Sequence, residues 1–333
     1  MSHKIVAIGG GAGTFNVLYG LKQNPKYDIS AIISVADNGG TTGLIRDKYG
    51  ILPPGDFRRA IAALAKDTGF VRRLFEYSFA WEEGVIGSNK IGNILLTALV
   101  DMSDGDYEKA IDTLCDMFDI RWKVIPVTLE DVHLGVRFED WVEIIGEKNI
   151  DVSDKNIMER SHNIDQNIVD AWLVGNPGTL NPRAKAAILE ADTIIIGPGD
   201  LYTSLVPNLL SQWMREALAE TTGNIIYVCN AMTKRGETTN MEVIDFIDTI
   251  ERYIDPGKLA HVIVNNGHIS DEIVAKYKAE ENKKPLKIKD RGLFEKKHYT
   301  IVEWDIVNDA DVVRHDPMKL AQILERIIDS VRV

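Results

Sequence analysis

The amino-acid sequence predicts an α/β fold: Rossmann-like and three-layered, with a mainly parallel central sheet and a small antiparallel insertion. Two observations carry this expectation. Apolar runs of strand length alternate with segments of helical period, an order that favours parallel strands joined by helical crossovers. Four junctions also hold glycine-bearing turns, at residues 9–14, 37–43, 53–56 and 197–204. Helix N-termini present unpaired N–H donors and a partial positive charge, so several such turns point to a cleft for a phosphate or diphosphate.

Residues 4–8 form a short apolar strand that ends in glycines, and residues 15–21 continue with a helical pattern. A second strand over 29–36 enters the Asp37 turn. Asp56 is placed as the N-cap of a helix over 57–64, and further helical patterns cover 70–81, 91–101 and 107–120. The period then changes: 124–129, 132–138 and 141–145 read as strands with short connections. Antiparallel pairing follows, in a β-rich lobe at about 122–170 inserted into one Rossmann-like domain spanning 1–333. Residues 151–170 are polar and aperiodic, a loop or weak helix over the site. Alternation resumes with strands at 171–174, 193–196, 225–229 and 261–264 and helices at 182–190, 205–219, 241–254 and 316–330. The Lys and Glu cluster at 275–291 reads as a solvated face or loop.

The chain has 333 residues, 45% of them hydrophobic, as a packed globular protein requires. Its net charge of −12 argues against nucleic-acid binding through bulk charge, while leaving room for a local basic pocket. Cys115 and Cys229 sit in apolar runs without a CxxC partner and are expected as buried, reduced thiols. No signal-peptide pattern and no transmembrane-length apolar run is present, so a soluble, cytoplasmic, non-membrane protein is expected. A homo-oligomer is left open. The seven histidines lack metal-ligand spacing, and there is no G-x-S-x-G elbow.

In the first turn, Gly10, Gly11, Gly13 and Thr14 suit the approach of a phosphate to a helix start. Asn16 replaces the third glycine of G-x-G-x-x-G, and no Walker A lysine follows. A tight turn with no ligand fits the same residues. Asp37 ends the second strand where a dinucleotide fold keeps its ribose-binding acid, and Asn38, Gly39, Gly40 and Thr41 form an anion-type loop after it. In the third turn, Pro54 stiffens the approach and Gly55 permits close contact. Asp56 is a cap, or orients a nucleophile or metal. Arg58 and Arg59 oppose the helix dipole, which is understandable if Arg58 faces an anion. In the fourth turn, Gly197 and Gly199 precede Asp200, Leu201, Tyr202 and Thr203. Tyr202 is expected to stack on a ring and Thr203 to offer a hydroxyl. Asp200 suits a sugar hydroxyl, a divalent cation or a cap. Asn93 opens a helix and Asn230 ends a strand, positions that point toward a crevice.

Four stretches together resemble the CofD/YvcK family. They are 34–43 (SVADNGGTTG), 52–58 (LPPGDFR), 196–210 (IGPGDLYTSLVPNLL) and 227–233 (YVCNAMT) with Gly236-Glu237-Thr238. The last two look like the YvcK branch, the "gluconeogenesis factor" proteins, rather than the 2-phospho-L-lactate transferase branch. The resemblance covers about residues 4–270 and implies a Rossmann-like core holding a diphosphate ligand in these turns. The YvcK branch implies UDP-sugar binding and control of carbon metabolism or cell-wall synthesis. The transferase branch implies Mg2+ and transfer of a phospholactyl-type group from a nucleoside diphosphate ester to an alcohol. The chain departs from the family pattern: Asn38 replaces the second aspartate expected after Asp37, and Asp200 stands where serine is common.

Three readings follow. The first is a nucleotide-sugar-binding regulator without turnover. The second is a transferase, with Asp37 on Mg2+ or the acceptor hydroxyl and Arg58 answering charge on the leaving phosphate. The third, less favoured, is an NAD-dependent oxidoreductase with Asp37 on the ribose.

Overall fold

The computed structural model describes residues 2–39, 42, 43, 46, 50–79, 89–150, 163, 165–308 and 312–331. Its centre is a sheet of seven strands: β1 (His3–Gly9), β2 (Tyr27–Ile33), β3 (Lys123–Pro126), β7 (Thr193–Ile196), β8 (Asn224–Val228), β9 (Leu259–Asn265) and β10 (Thr300–Trp304). Every pairing in it is parallel, and the spatial order is β10-β9-β8-β7-β1-β2-β3. The middle strands read as unbroken apolar runs because both faces are covered; Val6, Ala7 and Ile8 are all buried.

From β1 the chain builds outward through β2 to β3, then returns to β7 on the other side of β1 and builds outward again. The order therefore reverses between β1 and β7. In open parallel sheets the crevice outside the carboxyl ends at such a reversal is the usual ligand site.

Around the sheet run α1 (Gly11–Leu21), α2 (Pro54–Leu64), α3 (Thr68–Glu76), α4 (Ile91–Met102), α5 (Tyr107–Met117), α6 (Glu147–Ile150), α7 (Pro182–Glu190), α8 (Val206–Leu209), α9 (Met214–Glu220), α10 (Val243–Tyr253), α11 (Asp271–Glu281) and α12 (Pro317–Val331). Helix α1 packs against both α2 and α12. Gly20 permits the second approach, since a Cβ there would lie 2.3 Å from the Pro317 carbonyl oxygen. Cys115 and Cys229 are free and buried, and burial pushes both thiols up to about 12. No described helix is long and apolar enough to cross a membrane.

The lobe is a separate antiparallel sheet, ordered β5 (Glu143–Ile145), β4 (Val132–Phe138), β6 (Ile168–Gly175). Its membership differs from the sequence expectation at both ends. The strand expected at 124–129 as part of the lobe is β3, paired with β2 in the main sheet. The strand expected at 171–174 in the resumed alternation is β6, paired with β4 in the lobe. Short apolar runs carry no label for the sheet they join. Strand β10 was not foreseen. The helix expected over 205–219 is broken: a π-helical turn at Leu201–Leu205 leads into α8, and Trp213, at φ +74°, separates α8 from α9. The 275–291 cluster holds α11, which buries no residue. Gly40, Thr41 and residues 151–162 and 164 of the polar stretch lie outside the described residues.

Candidate functional site

At the reversal point the first and fourth turns press together. A Cβ on Gly13 would lie 2.1 Å from the Pro198 carbonyl oxygen and 3.0 Å from the Gly199 nitrogen. A Cβ on Gly10 would lie 2.5 Å from Asp56 Oδ2, and Gly11 adopts φ +67°. These glycines are required by close approach and backbone conformation. The result is a crevice with two adjoining cavities of about 770 and 230 Å3. Gly11, Ala12, Asn16, Asp200, Ser204 and Arg314 line both.

Helix α1 opens onto this crevice without a side-chain cap from its own N-cap residue, Gly10. Thr14 turns inward and donates its hydroxyl to the Gly10 carbonyl at 3.0 Å. The Gly11 N–H is answered by Asp56. Asp56 was expected to cap its own helix; that N-cap is instead Pro53, with proline at the start of α2. Asp56 thus reaches across to α1. Its carboxylate is buried and accepts from Arg59 Nη1 at 2.9 Å. Burial raises its pKa, nearby Asp37 adds to the rise, and Arg59 and the Gly11 N–H oppose it.

Asp37 follows β2 and accepts the Gly39 N–H at 2.8 Å, closing a tight Asx turn. Gly55 admits Asp37 and Thr42 to the start of α2, where a Cβ would lie 3.1 Å from Asp37 Oδ2 and 2.7 Å from Thr42 Oγ1. The lobe supplies a third acid that sequence reasoning missed. Glu147 begins α6, and Gly146, at φ +93°, provides the bend before it. Glu147 Oε2 accepts the Asn38 N–H at 3.3 Å, and Asn38 Oδ1 accepts the Lys148 N–H at 2.9 Å. This reciprocal pair latches the second turn to the lobe. Burial pushes the Glu147 carboxyl well above the usual range, with the adjoining Asp37 carboxylate raising it further. The only sequence signal for Glu147 was a glycine–acid pair after a strand. Among the described residues, no group of three or more His, Cys, Asp or Glu side chains is arranged to hold a metal ion.

Arg58 lines the larger cavity, yet its guanidinium bonds are all made within the protein. It is buried, its Nε donates to Asn93 Oδ1 at 2.8 Å, and its Nη1 donates to Glu76 and to the Phe75 carbonyl. Its charge is answered inside the protein, and Asn93 is its partner rather than a crevice residue. Two cations that sequence reasoning missed line the same cavity. Arg72 and Arg314 are exposed on the wall of the larger cavity and have no carboxylate partner among the described residues. Arg72 lies 5.0 Å from the centre of the Phe15 ring.

The fourth turn divides. Leu201 and Tyr202 are core residues, each 1% exposed, and the Tyr202 hydroxyl donates to the Ile168 carbonyl at 2.9 Å. Tyr202 is therefore not available to stack on a ligand. Thr203 and Asp200 line the larger cavity. Asp200 makes no side-chain cap bond; its Oδ2 accepts from Lys234 Nζ at 2.8 Å, a partner that sequence reasoning did not foresee. Gly197 takes φ +78°, and Gly199 lines the smaller cavity beside Asn230. Asn230 Nδ2 donates to the Gly199 carbonyl at 2.8 Å, while its buried Oδ1 has no hydrogen-bond partner among the described residues.

Fold and crevice together define a doubly wound α/β protein with an open cleft at its topological switch point. The family model described as 2-phospho-L-lactate transferase CofD matches residues 5–307, and the chain belongs to this family. The relatives it resembles include proteins named as gluconeogenesis factors. A Thermotoga maritima protein, provisionally named a gluconeogenesis factor, is 36% identical over 97% of this chain and 99% of its own. The Bacillus subtilis protein named gluconeogenesis factor is 33% identical over 96% of each. The crystal structure of a UPF0052-family protein from Bacillus halodurans superposes with a TM-score of 0.87 at 30% identity, covering 97% of this chain and 99% of the other.

Proposed function

We propose that this crevice binds a nucleoside-diphosphate ligand of the UDP-sugar type, and that the protein is a YvcK-type regulator of carbon metabolism or cell-wall precursor synthesis. One observation carries the reading: the glycine-rich start of α1 opens, at the switch point, onto a cavity of about 770 Å3 whose wall holds Arg72 and Arg314, which have no carboxylate partner among the described residues. N–H donors and two guanidinium groups suit the diphosphate. The unpartnered Asn230 Oδ1 in the smaller cavity suits a sugar hydroxyl or a base N–H. Thermal-shift and calorimetric titration with UDP-sugars, UDP, GDP and NAD tests it. A ligand at 100 times its dissociation constant adds about 2.7 kcal/mol, so a true ligand gives a clear shift. No shift with any of these would refute the diphosphate cleft, and a shift with NAD alone would favour the oxidoreductase reading.

The acids favour a second reading, a CofD-like transferase. Asp37 and Glu147 offer oxygen donors of the kind Mg2+ takes, commonly one or two carboxylates with water and ligand phosphate completing the shell. Bound there, the ion would offset phosphate charge; Asp37 and Glu147 would hold it, and Arg59 would keep Asp56 turned to the α1 start. Under this reading Asp37→Asn abolishes Mg2+-dependent turnover and leaves nucleotide binding largely intact.

A further inference from the structure

Building on the reading of the crevice as a diphosphate site, we propose that Asp200 is an internal competitor for the bound anion. Its carboxylate occupies the Lys234 ammonium, and a phosphate group gains that lysine only by displacing it.

The two carboxylates on Lys234 stand at the same distance but are unequal. Glu237 and Asp200 each lie 2.8 Å from Lys234 Nζ. The Glu237 side chain is 1% exposed, and it also accepts the Thr203 hydroxyl at 3.0 Å and the Tyr202 N–H at 3.3 Å. Those bonds tie it to the fourth turn. The Asp200 side chain is 45% exposed and lies on the wall common to both cavities. Only Asp200 is free to swing into solvent. Glu237 alone neutralises Lys234, so Asp200 leaves this trio with one excess negative charge, on a wall that Arg314 shares. An incoming diphosphate meets that charge beside the start of α1. Once Asp200 moves aside, the ammonium turns to the ligand while Glu237 stays bound. Asp200 therefore sets how strongly anions are held.

Isothermal titration of the full chain with inorganic pyrophosphate and with UDP, at low and high salt, tests this. Asp200→Asn and Asp200→Ser are expected to tighten both probes by about fivefold, the scale of a half-exposed ion pair. The gain should shrink at high salt. With Lys234→Gln and Glu237→Gln combined, which removes the buried charge pair as a unit, Asp200→Asn should gain less than about twofold. An equal gain in that background would overturn Lys234 as the contested cation and leave simple repulsion. Unchanged or weaker binding in the Asp200 variants, with the wild type binding normally, would overturn the competitor alone. Absence of binding by wild type and variants would overturn the diphosphate reading, and this inference with it.

Discussion

Replacing Gly13 by alanine adds a single methyl group at the tightest point of the crevice. The new Cβ would lie 2.1 Å from the Pro198 carbonyl oxygen and 2.6 Å from the Pro198 carbonyl carbon. Both atoms are backbone, so no side chain can rotate away. The first and fourth turns must part by about 1.3 Å to reach ordinary contact at 3.4 Å. Overpacking of this kind costs about 1–3 kcal/mol, and a backbone clash belongs near the top of that range. Alanine's helix preference over glycine returns about 1 kcal/mol, since Gly13 lies in α1. The net expectation is a loss of about 2 kcal/mol. Urea unfolding followed by circular dichroism measures it. Gly69→Ala is the matched control: it also lies in a helix, but its Cβ would meet only Asp67 Oδ1, at 3.6 Å. That substitution should stabilise by about 0.5–1 kcal/mol. If Gly13→Ala is as stable as wild type, or if both variants fall together, contact between the turns is not what demands glycine at 13.

Two other substitutions probe the charges. Arg58→Ala removes the partner of Asn93 and one of the two cations on Glu76, the other being Lys90, and should cost about 1.5–3 kcal/mol in urea unfolding. A loss below about 1 kcal/mol would show that the network carries little of the fold. Arg58→Lys, which keeps a charge for Glu76, should leave pyrophosphate affinity unchanged; a drop would return Arg58 to the ligand. For Glu147 the folded pKa is raised, so the folded state binds the proton more tightly than the unfolded state. Stability is thus lost as pH rises from the unfolded value, about 4.3, through the raised folded value. Glu147→Gln should stabilise the protein at about pH 8 and less so at about pH 5, read from urea midpoints. A pH-independent difference would rule out the burial and crowding of this acid as the cause.

Much of the fold was legible because alternation of apolar runs and helical periods is local. Strands β1, β7, β8 and β9 and helices α4, α7 and α12 stand within a few residues of their expected bounds. What failed was information carried across the chain. The position of Arg58 was read as an unfavourable charge at a helix start, yet its partners Glu76 and Asn93 lie 18 and 35 residues away. Asp56 was read as the cap of its own helix, or as orienting a nucleophile or metal, but its carboxylate meets the Gly11 N–H at the start of α1. Asp200 could not be explained without Lys234, 34 residues on, and Glu147 without the return of the lobe to Asn38. Tyr202 looked available beside glycines, but a core pocket near β6 claims the ring. Glycine spacing located the crevice; the charges around it are settled by tertiary contacts.

The packing of α12 on α1 has a consequence for synthesis. Asn16 Nδ2 donates to the His315 carbonyl at 2.8 Å across a separation of 299 residues, and the neighbouring Arg314 walls both cavities. At ribosomal speeds of about 5–20 residues per second, roughly 15–60 s pass between the two. During that interval a nascent chain can fold α1 and its glycine turn, yet one side of the crevice does not exist. The crevice is thereby completed only after residue 315 has left the ribosome, so a truncated or stalled chain presents the loop without its far wall.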